Sequence, residues 1–293
     1  MAKKRFTKIN IEISNICNLQ CSFCPEVIRE KKLMSIDLFK TILPQVAPLT
    51  EQVCLHLMGE PLLHPKFSQF VEACEEFHVP IFLVSNGVLL KQAHHELLLK
   101  PIFRQINFSL HSFFDNFPKK DPSPYLENIF GFTEQAFIKR PYLYINYRLW
   151  NLNSPMGSNS DNHLILQRLS EAFQKEIPNS TDVRKNKSFH IKNRLYLHYD
   201  TEFIWPSLDG PLLHTKGTCY GLSNHFGILA DGTVVPCCLD KEGKIPLGQL
   251  ENESLENILN SKKALQILKG FQNNQLIDPL CQKCQYIERF QSY

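Results

Sequence analysis

No stretch of this 293-residue chain offers the roughly 18 consecutive apolar residues that a membrane-spanning helix needs. A secretory signal is missing as well, because the opening MAKKRFTKINIEIS passes from charges into strand-like alternation without an unbroken apolar core. Charge of one sign is scarce: 32 Lys and Arg stand against 29 Asp and Glu, too small an excess for the strong field of a dedicated nucleic-acid binder, although a local basic patch is allowed. There is no low-complexity tract and no internal repeat beyond an alternation of strands and helices. These absences point to a cytoplasmic globular protein. With 43% apolar residues, the chain suffices for one large core, or for a medium domain and a small one.

What is present begins as a series of β/α units. Runs rich in β-formers at 8–14, 52–57, 81–86, 105–110, 142–150 and 194–205 predict strands. Between them, apolar spacing near 3.6 predicts helices, with Ser35 and Asp161 as N-caps and Pro44 expected to kink or end the first helix. Six such units predict an α/β fold with a parallel sheet, either open and doubly wound or a partial barrel. No glycine-rich nucleotide fingerprint follows the first strand; cysteines occupy that loop. Segment 151–193 is expected as a polar, solvated loop ending in a basic run, with contact to an anionic substrate as the alternative. After Trp205 the texture turns to turn formers, a hairpin with Asp231-Gly232 at its tip, and one helical stretch from 254 to 271. A boundary near residue 207 divides the expected domains, 1–206 and 207–293.

Ten cysteines exceed what packing requires. Cys54 and Cys74 stand alone within apolar patterns and read as small buried hydrophobes. The other eight are grouped, and in a reducing compartment grouped thiols are metal ligands before they are disulfides. Cys17, Cys21 and Cys24 form a C-x3-C-x2-C set three residues after the first strand. A closed zinc site needs a fourth ligand. A 4Fe-4S cube also takes one thiolate per iron, so three cysteines leave one iron open to a ligand that is not protein.

With Phe23 in the aromatic place, this C-x3-C-x-aromatic-C loop resembles the signature of the radical S-adenosylmethionine (radical SAM) enzymes. The resemblance implies a partial (β/α)6 TIM-type barrel. It also implies a 4Fe-4S cluster on Cys17, Cys21 and Cys24, and SAM bound at the open iron and cleaved to a 5'-deoxyadenosyl radical. Gly59, Glu60 and Pro61 look like the family's Gly-Gly-Glu-Pro segment for the SAM amino group, with Met58 replacing the first glycine. By the same resemblance Ser85 and Asn86 lie near the cofactor, Ser109 contacts the ribose, and Arg148 meets the SAM carboxylate. Turn or capping roles for Ser85, Asn86 and Ser109, and an ion pair for Arg148, stay open as alternatives. His111 is the candidate acid/base or substrate ligand, against an ordinary hydrogen-bonded histidine. Trp205 and Tyr147 read as core or pocket wall.

The tail, with Cys219, Cys237, Cys238, Cys281 and Cys284, looks like the SPASM extension or its short form, twitch. Five thiols imply one auxiliary 4Fe-4S cluster, on Cys219, Cys237, Cys281 and Cys284 with Cys238 spare; zinc is the alternative. In either case the metal is expected to be needed for the last residues to fold. The resemblance further implies an enzyme served by a reductant such as flavodoxin or ferredoxin, acting on a peptide or protein, a small metabolite or RNA. The expected start of the barrel near residue 8 leaves little room for a preceding peptide-recognition domain. A non-catalytic iron-sulfur or zinc protein that binds a partner is the reading of another class.

Overall fold

The computed structural model describes residues 4–179 and 181–290; the first charges of the amino terminus lie outside that range. Its strands are β1 (Lys8–Ile11), β2 (Val53–Cys54), β3 (Ile81–Ser85), β4 (Phe103–Ser109), β5 (Tyr144–Leu152), β6 (Ser188–Lys192), β7 (Leu195–Thr201), β8 (His225–Ile228), β9 (Thr233–Val235) and β10 (Gly248–Gln249). The helices are α1 (Ile36–Val46), α2 (Phe67–Glu76), α3 (Gln92–Leu98), α4 (His111–Asn116), α5 (Ser123–Lys139), α6 (His163–Phe173), α7 (Leu255–Leu259), α8 (Lys262–Gln272) and α9 (Pro279–Gln282). The fold is α/β, a partial TIM-type barrel with a carboxyl-terminal extension. Two compact units are distinguished, one made of Met1–Asn18, Pro25–Ile81 and Phe203–Tyr293, the other of Leu19–Cys24 and Phe82–Glu202.

In the first unit the strand order is β10-β9-β8-β1-β2. Strand β1 pairs in parallel with β2 on one side and with β8 on the other. Its Ile9 and Ile11 are fully buried. Helix α1 begins where the Ser35 hydroxyl accepts from the Leu38 amide at 3.1 Å, and it buries Phe39, Ile42, Leu43 and Val46, an i, i+3, i+4, i+7 stripe. Each such side chain removed from water contributes about 1.5–3 kcal/mol. Pro44 sits inside the last turn, and the helix runs only two residues beyond it. Cys54 and Cys74 are fully buried, as their apolar surroundings predict.

The second unit has the order β3-β4-β5-β7-β6, with β4, β5 and β7 mutually parallel. Strand β5 buries Ile145, Tyr147 and Leu149 on one face. Helix α5 lays Leu126, Ile129, Phe130 and Thr133 along one stripe, and the Thr133 hydroxyl bonds the buried Tyr147 hydroxyl at 2.6 Å. Burial drives the Tyr147 phenol far above its ordinary pKa, with the Thr133 bond opposing, so it serves as a neutral anchor.

The structure corrects several expectations. The basic end of segment 151–193 is not all loop: Ser188–Lys192 pairs antiparallel with β7 around a left-handed Asn193, because alternation turns Ile191 inward. The stretch from 254 to 271 is two helices, since Ser261 caps the second by accepting from the Ala264 amide. Asp161 lies within a short 3-10 turn whose cap is Asn159. Helix α4 follows β4 directly and has too few residues to show a period in sequence.

Gly59 and Gly131 make opposite predictions. Gly59 has φ +76°, and a Cβ there would stand 2.3 Å from the Ser14 carbonyl oxygen and 2.8 Å from that of Ile16. Gly59→Ala should therefore cost about 3 kcal/mol or more in urea unfolding. Gly131, in α5, has nothing within 4 Å of such a methyl, and Gly131→Ala should stabilise by about 0.5–1 kcal/mol.

Candidate functional site

In the first unit the cysteine loop leaves the end of β1 through a closed neck. The Asn15 side chain donates to the Glu30 carbonyl at 2.7 Å and accepts from the Lys32 amide at 2.7 Å, while the Met34 amide donates to the Ile13 carbonyl. The chain between them, with Cys17 exposed near its start, is thereby a lasso with a fixed base. The turn after β2 packs on this neck: Gly59 meets the Ser14 and Ile16 carbonyls, and the Glu60 amide donates to the Ile16 carbonyl at 2.9 Å. Glu60 is 1% exposed and N-caps the short Pro61–Leu63 turn through the Leu62 amide. The Met58 amide is engaged by the Glu12 carboxylate at 3.2 Å.

Glu12, absent from the sequence reading, is the centre of this region. Its fully buried carboxylate accepts from Arg29 Nη2 (2.6 and 2.5 Å), the Met58 amide and the Ala230 amide (3.1 Å). Burial raises its pKa, and Arg29 and the two amides oppose that shift. Arg29 Nε also donates to the Lys241 carbonyl, and the Glu242 carboxylate accepts the Ile28 and Arg29 amides at 3.1 and 3.0 Å. The outgoing limb of the cysteine loop is thus tied to the segment that follows Cys237 and Cys238.

In the second unit Cys21, Phe23 and Cys24 rest on α4. Asp115 accepts from the Ser22 amide and hydroxyl, both at 2.6 Å. Asn116 accepts the Gln20 amide at 2.8 Å and donates to Cys21 Sγ at 3.1 Å. The Phe23 ring lies 4.7 Å from that of His111. His111 is buried, and its Nδ1 donates to the Arg148 carbonyl at 3.0 Å, which leaves Nε2 as an acceptor. Burial, seconded by the Arg148 charge, lowers its pKa to about 4. Ser109 pairs in register with Arg148, whose guanidinium lies 4.3 Å from the Trp150 ring centroid. With the Asn107 amide turned to face it, Arg148 Nε donates to the Asn107 oxygen at 2.9 Å. Ser85 and Asn86 both make turn bonds, accepting the Gly87 and Val88 amides at 3.0 and 2.9 Å.

The five carboxyl-terminal cysteines converge. Cys219 precedes β8, Cys237 and Cys238 follow β9, and Cys281 and Cys284 sit on and just after α9, whose cap is Asp278. Burial lifts the Cys219 thiol to about 11, the Gly221 amide counteracts, and the charges of Cys284 and Cys238 add to the rise. Cys237 and Cys281 are raised well above the ordinary thiol value, by burial first and then by neighbouring thiols for Cys237 and by Asp278 and neighbouring thiols for Cys281. Cys238 also packs against the apolar cluster of Val27, Leu57, Met58, Leu229 and Val235, which Trp205 borders. Among the described residues no three His, Cys, Asp or Glu side chains gather tightly enough for a single metal ion. Thiols that share one another's field supply the donors a cube takes, one thiolate at each iron. Loading must displace thiol protons.

Asp115, Asn116, Glu12, Arg29 and Glu242 are the site residues that sequence reasoning missed. Only a charged residue in the apolar run of the first strand, Glu12, left any signal.

Two outcomes follow for this region. Arg29→Ala strands a buried carboxylate and should cost about 3–5 kcal/mol in urea unfolding, much of it regained by adding Glu12→Gln. His111 should stay neutral in NMR titrations down to about pH 5. Because its folded pKa is depressed, the stability it contributes above pH 6.5 should fall as the pH drops towards 4.

Comparison with known proteins agrees with this geometry. Residues 11–139 match the Radical SAM superfamily model, and residues 219–285 match SPASM, an iron-sulfur cluster-binding domain. A stretch of 102 residues is 32% identical to the S-adenosyl-L-methionine-dependent 2-deoxy-scyllo-inosamine dehydrogenase of Niallia circulans, covering 32% of this chain and 41% of that protein. Another, of 114 residues, is 26% identical to the GTP 3',8-cyclase of Synechocystis, covering 37% and 35%. The matched stretches thus span less than half of either curated relative. The structure of BtrN in complex with AdoMet and 2-DOIA superposes with a TM-score of 0.62 at 18% identity, covering 97% of this chain and 94% of that one. Streptococcus suis SuiB bound to S-adenosylmethionine gives 0.60 at 18%, covering 90% and 68%. At these identities the likeness is one of fold. The two domains imply a 4Fe-4S cluster with SAM and auxiliary cluster binding: the chain carries a Radical SAM superfamily domain over residues 11–139 and a SPASM iron-sulfur cluster-binding domain over residues 219–285.

Proposed function

We propose that the protein is a radical SAM enzyme that modifies a substrate by hydrogen-atom abstraction. The observation that carries this reading is the packing of the Gly59-Glu60 turn on the Ser14–Ile16 neck, immediately before Cys17. Cys17, Cys21 and Cys24 would hold a 4Fe-4S cluster with one iron left open to SAM, and the pair would supply the one-electron reductive chemistry that starts hydrogen-atom abstraction. The chain's own part is to bind and orient. Gly59, Glu60 and Pro61 present backbone to the SAM amino group, and Arg148 offers its fork to the carboxylate. Ser85, Asn86 and Ser109 face the nucleoside side, and Phe23 holds the cysteine loop against His111. The Nε2 lone pair of His111 accepts a substrate hydrogen bond rather than carrying charge. Cys219, Cys237, Cys281 and Cys284 hold the auxiliary cluster, and Cys238 stays with the apolar cluster it already packs on.

Residues 1–206 are proposed as the barrel core and 207–293 as the auxiliary-cluster domain. A flavodoxin or ferredoxin is the proposed reductant. No helix among the described residues is long and apolar enough to cross a membrane, in keeping with a cytoplasmic setting.

Anaerobic reconstitution should give about eight irons per chain, and dithionite with SAM should release 5'-deoxyadenosine. Cys17→Ala should lose about four irons and all release. Cys281→Ala should lose a similar share from the second cluster. A colourless chain carrying zinc on the amino-terminal loop would overturn the proposal.

A further inference from the structure

We infer that helix α4 sets the reduction potential of the centre held by the first cysteine loop, through hydrogen bonds that Asn116 and Ser112 donate to the Cys21 sulfur. This role rests on the proposed enzyme reading for what the thiols hold, and adds to it what governs the ease of the site's one-electron step. The donor set fits such a group. Cys17, Cys21 and Cys24 lie on one loop whose base is closed by Asn15, with Cys17 and Cys24 exposed and Cys21 partly so. Helix α4 follows β4 directly, so a strand end carries its side chains to Cys21.

The Asn116 amide is oriented by its neighbours. The Gln20 backbone N–H can only donate, so the Asn116 oxygen faces it, at 2.8 Å. The amide nitrogen therefore faces the other way, and its two hydrogens go to the Ser112 carbonyl at 2.9 Å and to Cys21 Sγ at 3.1 Å. Ser112 stands one turn earlier on the same face of α4, and its hydroxyl also bonds the Cys21 sulfur. A ligated thiolate carries no proton, so both groups must donate to it. Ser112 is 4% exposed, which keeps water from replacing its bond.

Hydrogen bonds to the sulfurs are among the levers that set the potential of an iron-sulfur centre. One electron from the proposed flavodoxin or ferredoxin adds one negative charge. Donors aimed at a sulfur ligand stabilise the form that carries more of that charge, so removing either donor lowers the potential. Asp115 acts with the opposite sign, because its carboxylate opposes negative charge on Cys21. The Ser22 amide and hydroxyl, each 2.6 Å from that carboxylate, moderate its field. A turn that only had to keep its shape would use the Gln20 and Ser22 bonds and would have no need of an N–H aimed at sulfur. Asn116 and Ser112 are thus positioning residues that act through Cys21.

The test is a potentiometric titration of the anaerobic holoenzyme followed by electron paramagnetic resonance. The signal that changes on adding SAM belongs to the open centre and is the one read. Asn116→Ala should lower the reduced-to-oxidised ratio at fixed potential about tenfold, which is about 59 mV for a one-electron couple. Ser112→Ala should lower it about threefold, while Ser112→Thr, which keeps the hydroxyl, should stay within about twofold. Asp115→Asn should raise it. If Asn116→Ala fails to fold by circular dichroism or to retain iron, Ser112→Ala and Asp115→Asn carry the test. Unmoved potentials in variants that keep their iron, or a shift of one sign in all three, would overturn the inference while wild-type release of 5'-deoxyadenosine left the enzyme reading standing. A wild-type chain with no SAM-responsive signal would overturn both.

Discussion

A single buried carboxylate organises the first unit. Glu12 stands just beyond β1 with no solvent to hydrate it, a position that costs several kcal/mol unless the charge is paired and fully hydrogen-bonded. Its partners come from three places far apart in sequence: Arg29 on the cysteine loop, Met58 before the Gly-Glu-Pro turn, and Ala230 in the tip of the carboxyl-terminal hairpin. Because the carboxylate has to be satisfied, these three segments must arrive together. The pairing of β8 with β1 brings the hairpin to that meeting point, and Glu242 reinforces it by holding the Ile28 and Arg29 amides.

The thiols show the same economy of position over charge. In the carboxyl-terminal group Cys219, Cys237, Cys281 and Cys284 are pushed up by burial first and then by neighbouring charges, so these four do not ionise readily until a metal compensates. Cys21 is raised by burial in the same way, although the Asn116 and Ser112 bonds to its sulfur already work against that rise. At its carboxyl end the protein provides a preformed but protonated ligand set, whose ionisation is linked to loading. The histidines follow the opposite sign of the same rule: burial keeps His111 and His198 neutral, as hydrogen-bonding groups with fixed tautomers instead of charges.

Much was legible without coordinates. The β/α series, the hairpin turned at Asp231-Gly232, the Ser35 cap and the burial of Cys54 and Cys74 are local matters of period, turn chemistry and propensity. Strand β6 escaped because its basic residues look like solvent-facing loop, and only pairing with β7 reveals which of them alternate. Helix α4 escaped because it is too short for periodicity to show, yet its Asp115 and Asn116 are what hold the Cys21 segment.

The sequence by itself determined the chemistry on offer: thiols three and four apart after a first strand, a second set in the tail, and a glycine where a side chain would collide with carbonyl oxygens. These are properties of covalent order and of single residues. The tertiary structure alone decided which distant groups share an environment, namely Glu12 with Arg29 and Ala230, and Phe23 with His111. Burial and field depend on everything packed around a group, and chain order does not record those neighbours.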